Sequence, residues 1–131
     1  MNSAALTKSV GELVDHILAD SRWVDENDEL GASILGMLMY GFALTAGRTM
    51  MLELTDIDAV IFNVLTKKVG TAAKWTHGLI EEARKSAFDE SYHPGNFELI
   101  GVGHSYNGEP DQNSIVNNIF ANIQSIRQAS C

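Results

Sequence analysis

Apolar residues recur along most of this chain at the three-and-four spacing of a helix buried on one side. Leu6, Val10, Leu13, Val14, Ile17 and Leu18 form the first stripe, with Glu12, Asp15, His16 and Asp20 on the opposite side. A polar connector over 21–27 follows, in which Trp23 and Val24 are expected to fold back onto the core. From about 28 to 46 the apolar positions Leu30, Ile34, Leu35, Met37, Leu38, Tyr40, Phe42 and Leu44 cover nearly every side. Such a pattern predicts a central helix enclosed by its neighbours. Asn27 or Asp28 can cap it and Gly47 should end it. Gly31, Gly36 and Gly41 stand five apart, so they fall on different sides of the helix, each permitting its own close approach.

Thr55 and Asp58 resemble a capping box ahead of a third helix built on Ile57, Val60, Ile61, Val64 and Leu65. Lys67 and Lys68 suit its last turn, and Gly70 its stop. Thr71 caps a fourth helix running to about Ala87, with Trp75, Leu79, Ala83 and Ala87 four apart. The period then changes. His93, Pro94, Gly95 and Asn96 match a type II turn, and 97–106 alternates loosely enough to predict a strand. A strand needs a mate for its backbone, and the internal candidate is 49–54; otherwise a second copy of the chain must supply one. Ser114 caps a fifth helix with Ile115, Ile119, Ile123 and Ile126 inward and Asn117, Asn118, Asn122 and Gln124 outward. The expected fold is therefore mainly α. It is a compact five-helix domain over 1–131 with a central buried helix (about 28–46) and a minor strand or β-hairpin (about 97–106).

Composition agrees with a globular core: 45% of the residues are hydrophobic and 20% charged, too apolar for a disordered chain. Gly31 to Gly47 carries no charge, but as a helix it would span only about 25 Å against a hydrocarbon core of roughly 30 Å. A buried helix is the expectation there. Met1 to Val10 lacks a basic segment followed by an apolar run, and the single cysteine, Cys131, cannot form an internal disulfide. Both features point to a cytoplasmic location.

The formal net charge of −8 is unevenly spread. Residues 1–60 hold ten acids against three bases, whereas 61–131 hold seven against six. The excess gathers at Asp20, Asp25, Glu26, Asp28 and Glu29. Such a surface repels phosphate backbones and anionic lipid, so no nucleic acid or membrane partner is expected, and it favours a protein with a basic surface. These five acids, with Asp89, Glu90, His93, His104, Glu109 and Asp111 around the expected strand, are the candidate partner-binding residues.

Signals for chemistry fail on context. Gly103 to Gly108 resembles a nucleophile elbow, but its second glycine comes one place late and Pro110 follows where a helix should begin. Asp25, Asn27 and Glu29 resemble the start of a calcium loop, yet Leu30 stands where glycine is required. Glu12, His16 and Asp20, and likewise His77 and Glu81, stack at four-residue spacing, but on faces turned away from the apolar stripes. No catalytic residue, metal or cofactor is expected. The reading is a non-enzymatic acidic protein-binding domain, most concretely an immunity or inhibitor protein that neutralises a basic bacterial toxin or effector. One alternative is a self-associating structural or regulatory protein, a homodimer suggested by the unmated strand and the amide-edged last helix. A second is a metal-dependent helical enzyme using the histidine–carboxylate stripes.

Overall fold

Helix follows helix through residues 3–129, which the computed structural model describes, and among them no strand forms. The elements are α1 (Ser3–Ala19), the one-turn α2 (Trp23–Glu26), α3 (Glu29–Thr49), α4 (Leu54–Val64), α5 (Ala73–Phe88), α6 (Pro94–Ser105) and α7 (Gln112–Ala129). A π turn over Leu65–Val69 extends α4, and a 3-10 turn over Tyr106–Gly108 follows α6. Cys131 lies outside the described residues.

The central helix is where its pattern places it. α3 packs against each of the other six helices, and Leu35, Leu38, Met39, Tyr40 and Ala43 are wholly buried. By length and composition α3 could cross a membrane, but here its apolar sides are covered by protein. Asp28 caps it, its carboxylate accepting from the Gly31 N–H at 2.9 Å. Gly47 does not end it. The helix runs on to Thr49, and Met51 turns the chain at φ 64, the one non-glycine left-handed residue described. The glycines face different neighbours, as their spacing implies. A Cβ on Gly36 would strike Leu79 of α5, and one on Gly47 would strike Ile57 of α4.

The expected five helices become seven because the connector folds into α2 and the expected strand into α6. The sequence signals over α6 admit two readings, and the fold takes the helical one. Pro94 is the first residue of a helix, where its fixed φ suits and its missing N–H costs nothing. His93 caps that helix through Nδ1, which accepts from the Asn96 N–H at 3.0 Å. Leu99, Ile100, Gly103 and Tyr106 are the buried, helically spaced positions, and a glycine does not register as apolar. Gly103 nonetheless belongs to the core face. A Cβ there would lie 1.9 Å from the Leu38 carbonyl oxygen, and one on Gly41 would lie 2.0 Å from that of Ile100. Two glycines thus let α3 and α6 touch backbone to backbone. Residues 49–54 pair with no strand either, because the end of α3, the turn and the start of α4 occupy them.

α4 begins two residues earlier than the Thr55–Asp58 pattern implies. Glu53 is its cap position, and Asp56 accepts from the Glu53 N–H at 3.3 Å. That shift releases Asp58 from the first turn and aims it at α3. Gly70 stops the π turn with φ 87.

Candidate functional site

The acid-rich segment 20–29 is largely spent on holding the fold. Asp20 takes two hydrogen bonds at 2.9 Å from the Arg22 guanidinium and one from the Arg22 N–H. Arg22 also donates to Asn117 of α7 at 2.9 Å and lies over the Phe120 ring. Glu26 is only 2% exposed; its carboxylate accepts from Arg127 Nε at 2.9 Å and from the Gln124 amide. Asp28 receives both terminal nitrogens of Arg127, at 2.9 and 3.0 Å. These bonds, with the Gly31 N–H, hold the Asp28 carboxyl at a pKa of about 2; the bonds from Arg22 do the same for Asp20. Glu26 is therefore removed from the candidate surface by burial. Asp25 and Glu29 stay exposed, with no side-chain hydrogen bond among the described residues.

The amide edge of α7 is used in the same way. Asn117 accepts from Arg22, Asn118 from the Tyr106 hydroxyl at 2.6 Å, and Gln124 donates to Glu26. The unmated strand that suggested a second copy of the chain is absent among the described residues, and these three amides of α7 are engaged within the fold.

The second group of candidates splits between the two ends of α6, a helix of about 18 Å at 1.5 Å per residue that separates His93 from His104. His104 shares a hydrogen bond with the Thr45 hydroxyl of α3. Glu109 and Asp111 satisfy backbone in the loop before α7: Asp111 donates its N–H to Glu109 at 3.2 Å and accepts from that of Asn113 at 2.9 Å. Asp89, Glu90 and His93 lie together at the corner between α5 and α6. There Asp89 accepts from the N–H and hydroxyl of Ser91, and Glu90 is exposed. Among the described residues no three histidine, cysteine or acidic side chains gather as a metal site.

The α5–α6 corner has a second property that the charge pattern does not show. Phe88 is 56% exposed, Tyr92 45% and Phe97 36%, three large rings within ten residues of chain. Asp89, Glu90 and Glu98 lie on the same stretch of chain, and Lys85 stands 5.8 Å above the Tyr92 ring. The Tyr92 hydroxyl donates to both oxygens of Glu82 at 2.9 and 3.0 Å, which fixes the ring without neutralising the acid. One sequence signal could have found this corner. Phe88 falls one residue past the Trp75, Leu79, Ala83, Ala87 stripe and so points off the core.

A cleft of about 430 Å³ opens on the other flank of α5, lined by Thr55, Asp58, Ala59, Phe62 and Asn63 of α4 and by His77, Ile80, Glu81 and Arg84 of α5. At its base the buried Tyr40 hydroxyl donates to Asp58 Oδ1 at 2.8 Å, and Arg84 donates to Asp58 Oδ2. Burial, followed by the bond to Asp58, pushes the Tyr40 hydroxyl above its usual pKa; the Asp58 carboxylate does the same for Arg84. Phe62 and His77 stack with ring centroids 4.4 Å apart and planes 25° from parallel. The cleft is hidden in the sequence because Asp58 reads there as a helix cap.

Comparison with protein-family models, with curated proteins and with solved structures finds no match. Function therefore has to be argued from these surfaces.

Proposed function

We propose that this is a non-enzymatic acidic domain that binds another protein, one with a basic surface, through the α5–α6 corner. Its most concrete form is an inhibitor of the immunity-protein kind, made in the cytoplasm to neutralise a basic bacterial toxin or effector. One observation carries the reading: Phe88, Tyr92 and Phe97, within ten residues of chain, are each partly exposed on a stretch that also carries Asp89 and Glu90 and is followed by Glu98. Large rings in a cluster supply most of the binding energy in protein interfaces, and a charged rim sets partner choice and encounter rate. The overall charge of −8 adds long-range attraction for a basic partner and repulsion for nucleic acid.

A direct test is affinity capture at low and high salt with three forms of the protein: the natural one, Phe88→Ala with Phe97→Ala, and Asp25→Asn with Glu29→Gln. The reading requires a basic partner retained by the first and third forms, lost by the second, and released by salt. Retention by all three, or release independent of salt, overturns it.

A further inference from the structure

We propose that His93 is an acid-sensitive latch on the α5–α6 corner: a proton taken up by its ring releases the first turn of α6. The latch rests on the geometry of the cap; only its effect on a partner rests on the protein-binding reading above.

The first turn of α6 has few ways to satisfy its N–H groups. Pro94 has none to satisfy, and that of Phe97 bonds to the His93 carbonyl at 3.0 Å. The Asn96 N–H depends on His93 Nδ1, again at 3.0 Å. A backbone N–H only donates, so Nδ1 must offer its lone pair and the ring must be neutral. A proton there sets two donors against each other and puts a positive charge at the positive end of the helix. The other histidines carry no such constraint. His104 meets the Thr45 hydroxyl, which can turn to accept, and His16 and His77 make no hydrogen bond among the described residues.

No ion pair is in place to favour the charged ring. α6 packs on α3 and α5. α3 runs antiparallel to it, with Leu38 meeting Gly103 and Gly41 meeting Ile100, so the charge it brings toward this end is Arg48. From α5, Glu82 is engaged by the Tyr92 hydroxyl and Lys85 lies over the Tyr92 ring. Asp89 is engaged by Ser91, Glu90 and Glu98 are exposed, and none of these acids is paired with His93 among the described residues. The folded corner requires the neutral ring and the unfolded chain does not. The stabilisation from the cap is therefore present at neutral pH and lost as the pH falls through the histidine range.

The test follows the backbone and imidazole signals of the whole chain by nuclear magnetic resonance from about pH 7.5 to about 5, the span over which histidine charges. The expected result is that the Asn96 amide proton leaves its hydrogen-bonded position, and 94–97 lose helical carbon shifts, with the midpoint of the His93 ring itself. His93→Asn, which caps a helix without titrating, should abolish the change, and His93→Ala should show the acid form's shifts at every pH. An Asn96 amide that ignores the His93 titration, or the same change in His93→Asn, overturns the latch. A captured basic partner should lose about five-fold in affinity between about pH 7.5 and 5.5, the usual worth of a helix cap, and His93→Asn should hold it level. A partner whose affinity ignores pH while the isolated chain loses its cap overturns the corner as the point of contact and leaves the latch standing.

Discussion

The turn between α1 and α3 and the corner between α5 and α6 are both acidic, yet they use their charge in opposite ways. At the first, Arg22 and Arg127 reach across to Asp20, Glu26 and Asp28 and tie α2 to α7. At the second, Glu82 and Asp89 bond only to neutral groups, Glu90 and Glu98 have no ion-pair partner among the described residues, and three rings are left in water. Local density of acids is thus a poor guide to an interaction surface. What counts is the charge that remains after the fold has paired its own, and whether apolar area lies beside it.

The sharpest way to break this contrast is to remove the rings. Phe88→Ala and Phe97→Ala are each expected to weaken partner binding by about 2 kcal/mol, roughly 30-fold, as truncation of an interface anchor does. Calorimetric titration reads that loss, and urea unfolding should show a smaller cost, about 1 kcal/mol, larger for Phe97 at 36% exposure than for Phe88 at 56%. A variant that unfolds, or binds normally, would place the anchor elsewhere.

Glu26→Ala should do the reverse. It strips a buried carboxylate from Arg127, whose side chain stays 30% exposed, so the cost is below the 3–5 kcal/mol of a fully buried broken pair: about 2–3 kcal/mol in urea unfolding. Affinity for the partner should not change. If Glu26→Ala instead weakens binding while the fold is unaffected, the clasp is a binding surface after all.

Acid separates the two regions a second way. Asp20 and Asp28 hold pKa values of about 2 against an ordinary 3.8. Because the folded value lies below the unfolded one, the stabilisation is complete above about pH 4 and is lost as the pH falls toward 2. Thermal unfolding should show the midpoint dropping through that window. Asp20→Asn with Asp28→Asn should flatten the drop, and the asparagine introduced at the second position can still cap α3. Both groups face solvent, so the effect is smaller than that of Glu26.

The parts of this fold that can be read in sequence are those where one signal has one meaning. α3 is legible because apolar residues on all sides leave no alternative to enclosure, and Gly70 because a left-handed stop after a lysine-rich turn has no competing role. α6 is not, since His93–Pro94–Gly95 serves a turn and a helix start equally and Gly103 conceals a core position. Asp58 passes for a cap because Glu53–Asp56 and Thr55–Asp58 offer the same spacing two residues apart. The candidate surface is half legible. Asp89, Glu90 and His93 share a corner because they are close in the chain, whereas the pairing of Glu26 and Asp28 depends on Arg127 of α7, about a hundred residues away.

The finest discrimination uses charge alone. Glu90→Lys with Glu98→Lys, and Asp25→Lys with Glu29→Lys, each change the net charge by the same four units, one at the corner and one at the turn. Long-range attraction depends on the total, and both pairs should reduce it equally at low salt. Near contact the positions differ. The corner pair sets two new cations beside the rings that a basic partner must cover, so association should slow about ten-fold or more and the variant should lose most of its salt sensitivity. The turn pair faces solvent away from the docked partner, and near 0.15 M salt, where charges are screened over about 8 Å, its binding should stay within about two-fold of the natural protein. Stopped-flow association over a range of salt measures both. Equal slowing at every salt concentration would mean that the partner senses only the overall field, and the corner would lose its claim to be the point of contact.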